Sequence, residues 1–217
     1  NLSRKNYLPF AKYCLDVTEH FVNEGLPIKY LSPINEPFWI WTGGQGAGKT
    51  LNMIHALIEM KQQYPKSLVV SDIPLFGIDY IQYRGIDDFN KYLNGIYGVI
   101  YVLDEIQTLY SSLKSAHMDD SELFVWSQNR KNRRVILGTS QRFTRVAKPI
   151  REQTAWHIEC GNRILNFYRY RIYDGYLYDD EGVYTGDKPK WKLYIPNVRG
   201  MLSYDTHFVV KPDEILE

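Results

Sequence analysis

The sequence predicts an α/β fold, a mostly parallel sheet flanked by helices, with a β-rich, tyrosine-rich extension at its C-terminal end. Three observations carry this expectation. An apolar run leads into a glycine-rich loop that opens a helical pattern, two later apolar runs end in polar residues, and strand-like alternation takes over from Trp156. The 217 residues suffice for one such domain with additional structure, and for a sizeable core. Three stretches are expected: a helical segment packed on the core (1–36), the core itself (37–160) and the extension (161–217).

Composition excludes several classes. A net charge of +1 rules out a surface that is basic overall, so any nucleic-acid contact has to come from a local patch. Cys14 and Cys160 have no metal-ligand spacing and read as reduced thiols, and none of the five histidines has zinc-like spacing. No apolar run is long enough to cross a bilayer and the start carries no signal-peptide pattern, so a soluble protein is expected.

The first element is a helix over 8–23, with Phe10, Tyr13, Cys14, Val17, Phe21 and Val22 as its apolar stripe and Glu24-Gly25 and Pro27 as its stop. It serves as a packing helix or lid, or as a contact for a neighbouring subunit or a nucleotide base. Asn35-Glu36-Pro37 breaks the chain, and Phe38 to Trp41 reads as a buried strand. Next comes Gly43-Gly44-Gln45-Gly46-Ala47-Gly48-Lys49-Thr50, which fits G-x-x-x-x-G-K-[ST]. Glycines let successive N–H groups curl inward, and the following helix adds its unpaired N–H groups and positive dipole end. Such a cup fits a pyrophosphate. Lys49 would reach the β- and γ-phosphates, and the Thr50 hydroxyl would take one place on Mg²⁺. The helix keeps its apolar spacing through Leu51, Ile54, Leu57, Ile58 and Met60 until Pro65.

A second strand is expected at 67–72 and a short helix at 87–93, stopped by Asn94-Gly95. Val99 to Leu103 is a strand buried on both faces, and Asp104 and Glu105 emerge at its carboxyl edge, where ligands bind. Asp104 can hold Mg²⁺ through water. Glu105 can orient or deprotonate an attacking water beyond the γ-phosphate. A helix over 121–129 has Leu123, Phe124 and Trp126 as its apolar members, and a strand over 135–140 ends in Gln141, placed to sense the γ-phosphate. Basic residues flank that strand: Arg130, Lys131, Arg133 and Arg134 before it, Arg142, Arg145, Lys148 and Arg151 after it. Three readings compete for them: a solvated face, an arginine finger reaching a neighbouring subunit's site, or phosphate contacts to a nucleic acid made by Arg133, Arg134, Arg142, Arg145 and Lys148. Strands are expected at 156–160, 164–173, 176–184 and 191–195, with a last extended segment at 204–210. Tyr168-Arg169-Tyr170-Arg171 puts tyrosines on one face and arginines on the other. That fits a covered antiparallel sheet, or a stacking platform for bases.

The GGQGAGKT loop, the strand ending in LDE, and WSQNRKNRR leading through VILGTSQ to KPIRE resemble the zonular occludens toxin-like and filamentous-phage assembly ATPases. Those belong to the HerA/FtsK-type P-loop motors, a group that includes genome-packaging ATPases of many viruses. The resemblance covers about residues 37–155, and beyond 160 only Tyr204-Asp205-Thr206 is weakly similar. It implies a P-loop NTPase core of the ASCE/RecA-like kind, with the Gln141 strand between the loop strand and the Asp104-Glu105 strand. It also implies ATP and Mg²⁺ as cofactors, a homo-oligomeric ring and an arginine finger acting in trans. Arg130 is the first choice of finger, because it matches the Arg of a Ser-Gln-x-Arg element, and Arg151 the second. Unlike the toxin-like and phage-assembly pattern, no membrane span follows the ATPase region. This favours packaging of a viral genome, with DNA and a portal or capsid as partners, in the host cytoplasm or on the virion. Two alternatives stand beside it: a phage-assembly or secretion ATPase acting at a membrane, and a nucleotide-gated scaffold without turnover.

Overall fold

The computed structural model describes residues 16, 23, 38–113, 120–129, 132–164, 167–195 and 202–205. The chain divides into two compact units, 1–35 and 36–217. The helix expected over 8–23 lies outside the described residues except at Asp16 and Asn23, both helical. The second unit carries the sheet and the glycine-rich loop.

Eight strands form one sheet in the order β3-β2-β4-β5-β1-β6-β7-β8. They are β1 (Phe38–Thr42), β2 (Leu68–Ser71), β3 (Ile81–Gln82), β4 (Val99–Leu103), β5 (Arg134–Ser140), β6 (Thr154–Ile164), β7 (Phe167–Asp174) and β8 (Lys190–Tyr194). Every pairing from β3 to β6 is parallel, and β7 and β8 add antiparallel. As the resemblance implied, β5 runs between β1 and β4. β6 is hydrogen-bonded to the parallel β1 on one side and the antiparallel β7 on the other, so the tyrosine-rich region continues the same sheet.

Continuous apolar strands need cover on both faces, and alternate residues sort into two cores. Phe38, Ile40, Tyr101, Leu103 and Ile136 pack on one side with Phe89 and Trp126. Trp41, Ile100, Val102, Leu137 and Ile158 pack on the other against Met53, Ile54 and Leu57 of α1 (Lys49–Gln63). The buried Trp41 Nε1 donates to Asn52 Oδ1 at 2.7 Å, tying β1 to the first turns of α1. Among the described residues of this unit three shorter helices follow: α2 (Asp88–Lys91), α3 (Asp120–Ser127) and α4 (Lys148–Arg151).

Several expectations shift. In α3 the residues turned to the core are Val125 and Trp126, while Phe124 is 64% exposed. Trp126 settles the rotation of this helix, because its indole fits among Phe38, Phe89 and Tyr110 at centroid distances of 4.7–5.5 Å. The stretch expected as strands over 176–184 is a 3-10 turn (Gly175–Leu177) and a single bridge between Tyr178 and Tyr184. Gly175 forces that turn inward, since a Cβ there would stand 2.0 Å from the Thr154 carbonyl oxygen. Among the described residues no helix is long and apolar enough to cross a membrane.

Candidate nucleotide site

The site begins where β1 ends. Gly43 turns the chain under the Cys160 carbonyl, too close for any side chain, and Gly48 takes a left-handed φ of +78° to start α1. That start has no side-chain cap and no acidic residue in its first turn. Its leading N–H groups and positive dipole end are therefore open to an anion. Gly48 is constrained twice, because a Cβ would also lie 2.6 Å from the Tyr168 ring. Gly48→Ala is therefore expected to destabilise the fold by about 1–2 kcal/mol from backbone strain alone, seen as a fall of several degrees in Tm. An unchanged Tm would show that the loop tolerates a side chain here.

The two acids after β4 meet the loop residues. Thr50 Oγ1 donates to Asp104 Oδ1 at 2.9 Å, and Lys49 Nζ lies 3.5 Å from Glu105 Oε1 and 3.4 Å from the Gly44 carbonyl oxygen. Residues about 55 positions apart thus converge at the carboxyl edge of the sheet. Burial raises the Asp104 pKa, against hydrogen bonds from Thr139 and Thr50 that lower it. A hydroxyl beside a desolvated carboxylate is an oxygen-only donor pair of a chemistry that fits Mg²⁺, which Thr50 and Asp104 would hold. Among the described residues no cluster of three His, Cys, Asp or Glu offers another metal site.

Two residues that the sequence did not single out hold these acids in place. Thr139, opposite Asp104 on β5, donates to Asp104 Oδ1 at 2.6 Å and accepts from the Glu105 amide at 2.8 Å. Asp72, just beyond β2, accepts from the Asp104 amide through both carboxylate oxygens, at 2.9 and 3.0 Å. It is fully buried, and burial first, then the charge of Asp104, pushes its pKa well up. Glu105 has a left-handed backbone (φ 48°, ψ 47°), and its side chain accepts from Gln107 Nε2. Both brackets become visible only once β2-β4-β5 adjacency is known, because Asp72 and Thr139 lie 32 and 35 residues from Asp104.

A cleft of about 270 Å³ covers this cluster. Gly48, Lys49, Thr50 and Asp104 line it, together with Tyr168 of β7 and with Tyr204 and Asp205 of the C-terminal segment. The last two arrive through an antiparallel bridge between Leu75 and Tyr204 and a 2.8 Å bond from the Phe76 amide to the Ser203 carbonyl. Their only signal in the sequence was the weak Tyr-Asp-Thr similarity.

The remaining expected site residues are dispersed. Gln141 is exposed, and its Oε1 accepts from Arg145 Nη1 at 2.5 Å, so its described bond runs to the basic turn. Arg130 lies outside the described residues. Arg151 lies three residues before the start of β6, whose first residue, Thr154, pairs with Phe38 at the start of β1. It therefore stands at the edge of the sheet opposite the loop, about 15 Å along the strands. Arg133 and Arg134 lie at that same far edge, whereas Arg142, Arg145 and Lys148 follow β5 at its other end. Arg134 is 2% exposed, with its guanidinium 5.7 Å from the Phe89 ring centroid, so the set is not one continuous patch and Arg134 has no surface to offer a phosphate. Lys148 is engaged by Asp180 at 3.0 Å. On β7 the expected two-faced pattern holds: Tyr168 faces the loop side, while Arg169 and Arg171 lie 4.2 and 4.4 Å from the Trp191 ring centroid. Cys160 is a buried free thiol, its pKa pushed up to about 12 by burial, and Cys14 lies outside the described residues.

Fold and loop together define an α/β domain with a phosphate-binding type of loop at the carboxyl edge of a mostly parallel sheet. It is similar in fold to the N-terminal domain of zonular occludens toxin from Neisseria meningitidis, with a TM-score of 0.61, 14% identity, and coverage of 78% of this chain and 98% of that one. It is also similar to the genome packaging NTPase of Sulfolobus turreted icosahedral virus 2. With ATP-gammaS bound, that structure matches at a TM-score of 0.51 and 13% identity over 75% of this chain and 98% of that one; with sulfate, at 0.52 and 12% over 76% and 98%. A family model for O-glycosyl hydrolase family 30 matches residues 1–83. That match covers less than half of the chain and ends just past β3, before the two acids after β4. A search of curated protein sequences finds no match.

Proposed function

We propose that this chain is an ATPase that works as a homo-oligomeric ring to move DNA, in the packaging of a viral genome. The observation that carries the hydrolytic part is the convergence of Lys49 and Thr50 with Glu105 and Asp104 at one strand edge. The loop N–H groups and Lys49 bind the β- and γ-phosphates. Glu105 orients a water for in-line attack on the γ-phosphorus and takes its proton, while the P–O bond to ADP breaks. Mg²⁺ held by Thr50 and, through water, Asp104 would neutralise charge on the β- and γ-oxygens. Thr139 and Asp72 keep both acids at the loop. Arg130, or Arg151, acts from the neighbouring subunit on the developing charge.

The motor part rests on fold likeness to a protein described as a genome packaging NTPase. The likeness to the toxin domain supports a second reading, in which the same ATPase serves phage assembly or secretion at a membrane. A nucleotide-gated scaffold without turnover is the third.

One experiment separates them: steady-state ATP hydrolysis over a range of protein concentrations, with and without double-stranded DNA, for the wild type and Arg130→Ala. A ring motor with a finger in trans shows specific activity rising with concentration and with DNA, and a loss of about 10³-fold or more in the variant with ATP binding retained. Activity indifferent to DNA, concentration and Arg130 moves the weight to a membrane or protein partner, and no hydrolysis at all leaves the scaffold.

A further inference from the structure

The phosphate end of the cleft reads charge and nothing else. Lys49, the Thr50 hydroxyl and the head of α1 would hold a bare polyphosphate as well as a nucleotide. What lines the cleft from outside the loop, α1 and the end of β4 is of a different kind: two phenol rings and one carboxylate. Tyr168 lies directly against Gly48, where the absent Cβ lets its ring approach the first turn of α1. Tyr204 and Asp205 are held over the cleft by the Leu75 bridge and the Phe76 amide, on the loop that follows Asp72. Ser203 beside them is 4% exposed, so this segment is packed into the unit.

We infer that Tyr168, Tyr204 and Asp205 form the nucleoside subsite of this cleft, taking the base ring against the phenols and the ribose hydroxyls on the carboxylate. An aromatic ring beside the head of the helix offers a π-face to a base whose phosphates lie in the loop, and a carboxylate is an acceptor matched to paired hydroxyls. Choice of a ribonucleotide over other polyphosphates then belongs to β7 and the C-terminal segment, and the loop only anchors. This subsite rests on the proposed binding of a nucleotide at the loop.

The test compares affinities for ATP, 2′-deoxy-ATP and inorganic tripolyphosphate in the presence of Mg²⁺, for the wild type, Tyr168→Ala, Tyr168→Phe, Tyr204→Ala and Asp205→Asn. The wild type is expected to bind ATP at least tenfold more tightly than tripolyphosphate. Tyr168→Ala and Tyr204→Ala should lose about 5- to 30-fold for ATP with tripolyphosphate unchanged, and Tyr168→Phe should restore the loss. Asp205→Asn should bring ATP and 2′-deoxy-ATP closer together. If the alanine variants leave the ratio of ATP to tripolyphosphate affinity as it is in the wild type, the subsite is overturned while the nucleotide reading stands. If the wild type binds neither compound, the nucleotide reading fails and the subsite with it.

Discussion

Glu105→Gln should bind ATP as the wild type does and hydrolyse it at least 100-fold more slowly, a loss of about 3 kcal/mol of transition-state stabilisation or more. The expectation comes from what the substitution keeps. Glutamine has the shape of glutamate and retains a carbonyl oxygen to accept from Gln107, and the backbone bond from residue 105 to Thr139 is untouched. The left-handed backbone at 105 is therefore held as before, and what disappears is the carboxylate that takes a proton from water. Lys49 loses an ion-pair partner but not its place, since the Gly44 carbonyl also holds it. Single-turnover hydrolysis with a fluorescent ATP analogue for affinity separates the two parameters. Near-normal turnover would remove Glu105 from the chemistry, and lost affinity would mean that it shapes the loop instead.

Acid should unfold this protein through His157. The imidazole is buried between the rings of Phe143 and Tyr173, at 4.4 and 5.2 Å, with Thr42 Oγ1 at 2.6 Å from Nε2 and Tyr178 Oη at 2.5 Å from Nδ1. Burial lowers its pKa from 6.5 to about 3, because no described carboxylate hydrogen-bonds the ring to favour the cation. The folded state therefore binds this proton less readily than the unfolded chain, and stability contributed by the neutral ring is lost as pH falls from about 6.5 towards 3. At pH 5 that amounts to about 2 kcal/mol, or a fall in Tm of roughly 4–8 °C from its value at pH 7. His157→Gln, which keeps polar groups facing Thr42 and Tyr178, should start less stable and lose much of this acid dependence. An equal acid shift in the variant would place the sensitivity elsewhere. Thr42 is the last residue before Gly43, so the same protonation should loosen the entry to the phosphate loop.

The loop, its helix and the Asp104-Glu105 strand were legible because each is encoded locally. A motif of fixed spacing, a run of helical period and a strand ending in acids need no knowledge of the rest of the chain. The order of β5 between β1 and β4 came from the resemblance, since nothing local to VILGTS says which strand it joins. Thr139 and Asp72 could not be read for that reason: a threonine inside an apolar strand and an acid at a strand end acquire a role only from a neighbour more than 30 residues away. Phe124 and Trp126 are both apolar members of α3, but two positions apart on a helix of 3.6 residues per turn they point to opposite sides, and Trp126 takes the buried one. The basic residues around β5 were read as a sequence neighbourhood. A strand of seven residues separates its two ends by about 20 Å, which divides the set.

β6 gives the domain its mechanical character. Because this strand is bonded along one side to β1 and along the other to β7, no hinge separates the outer hairpin from the phosphate loop. A load applied at Trp191 would cross three strand ladders in shear, β8 to β7, β7 to β6 and β6 to β1, before reaching Thr42, and ladders of this kind stretch little. The outer hairpin can therefore behave as a stiff lever on the loop. Whatever grips that edge would feel the arrival and departure of a phosphate, and would in turn be able to push on it.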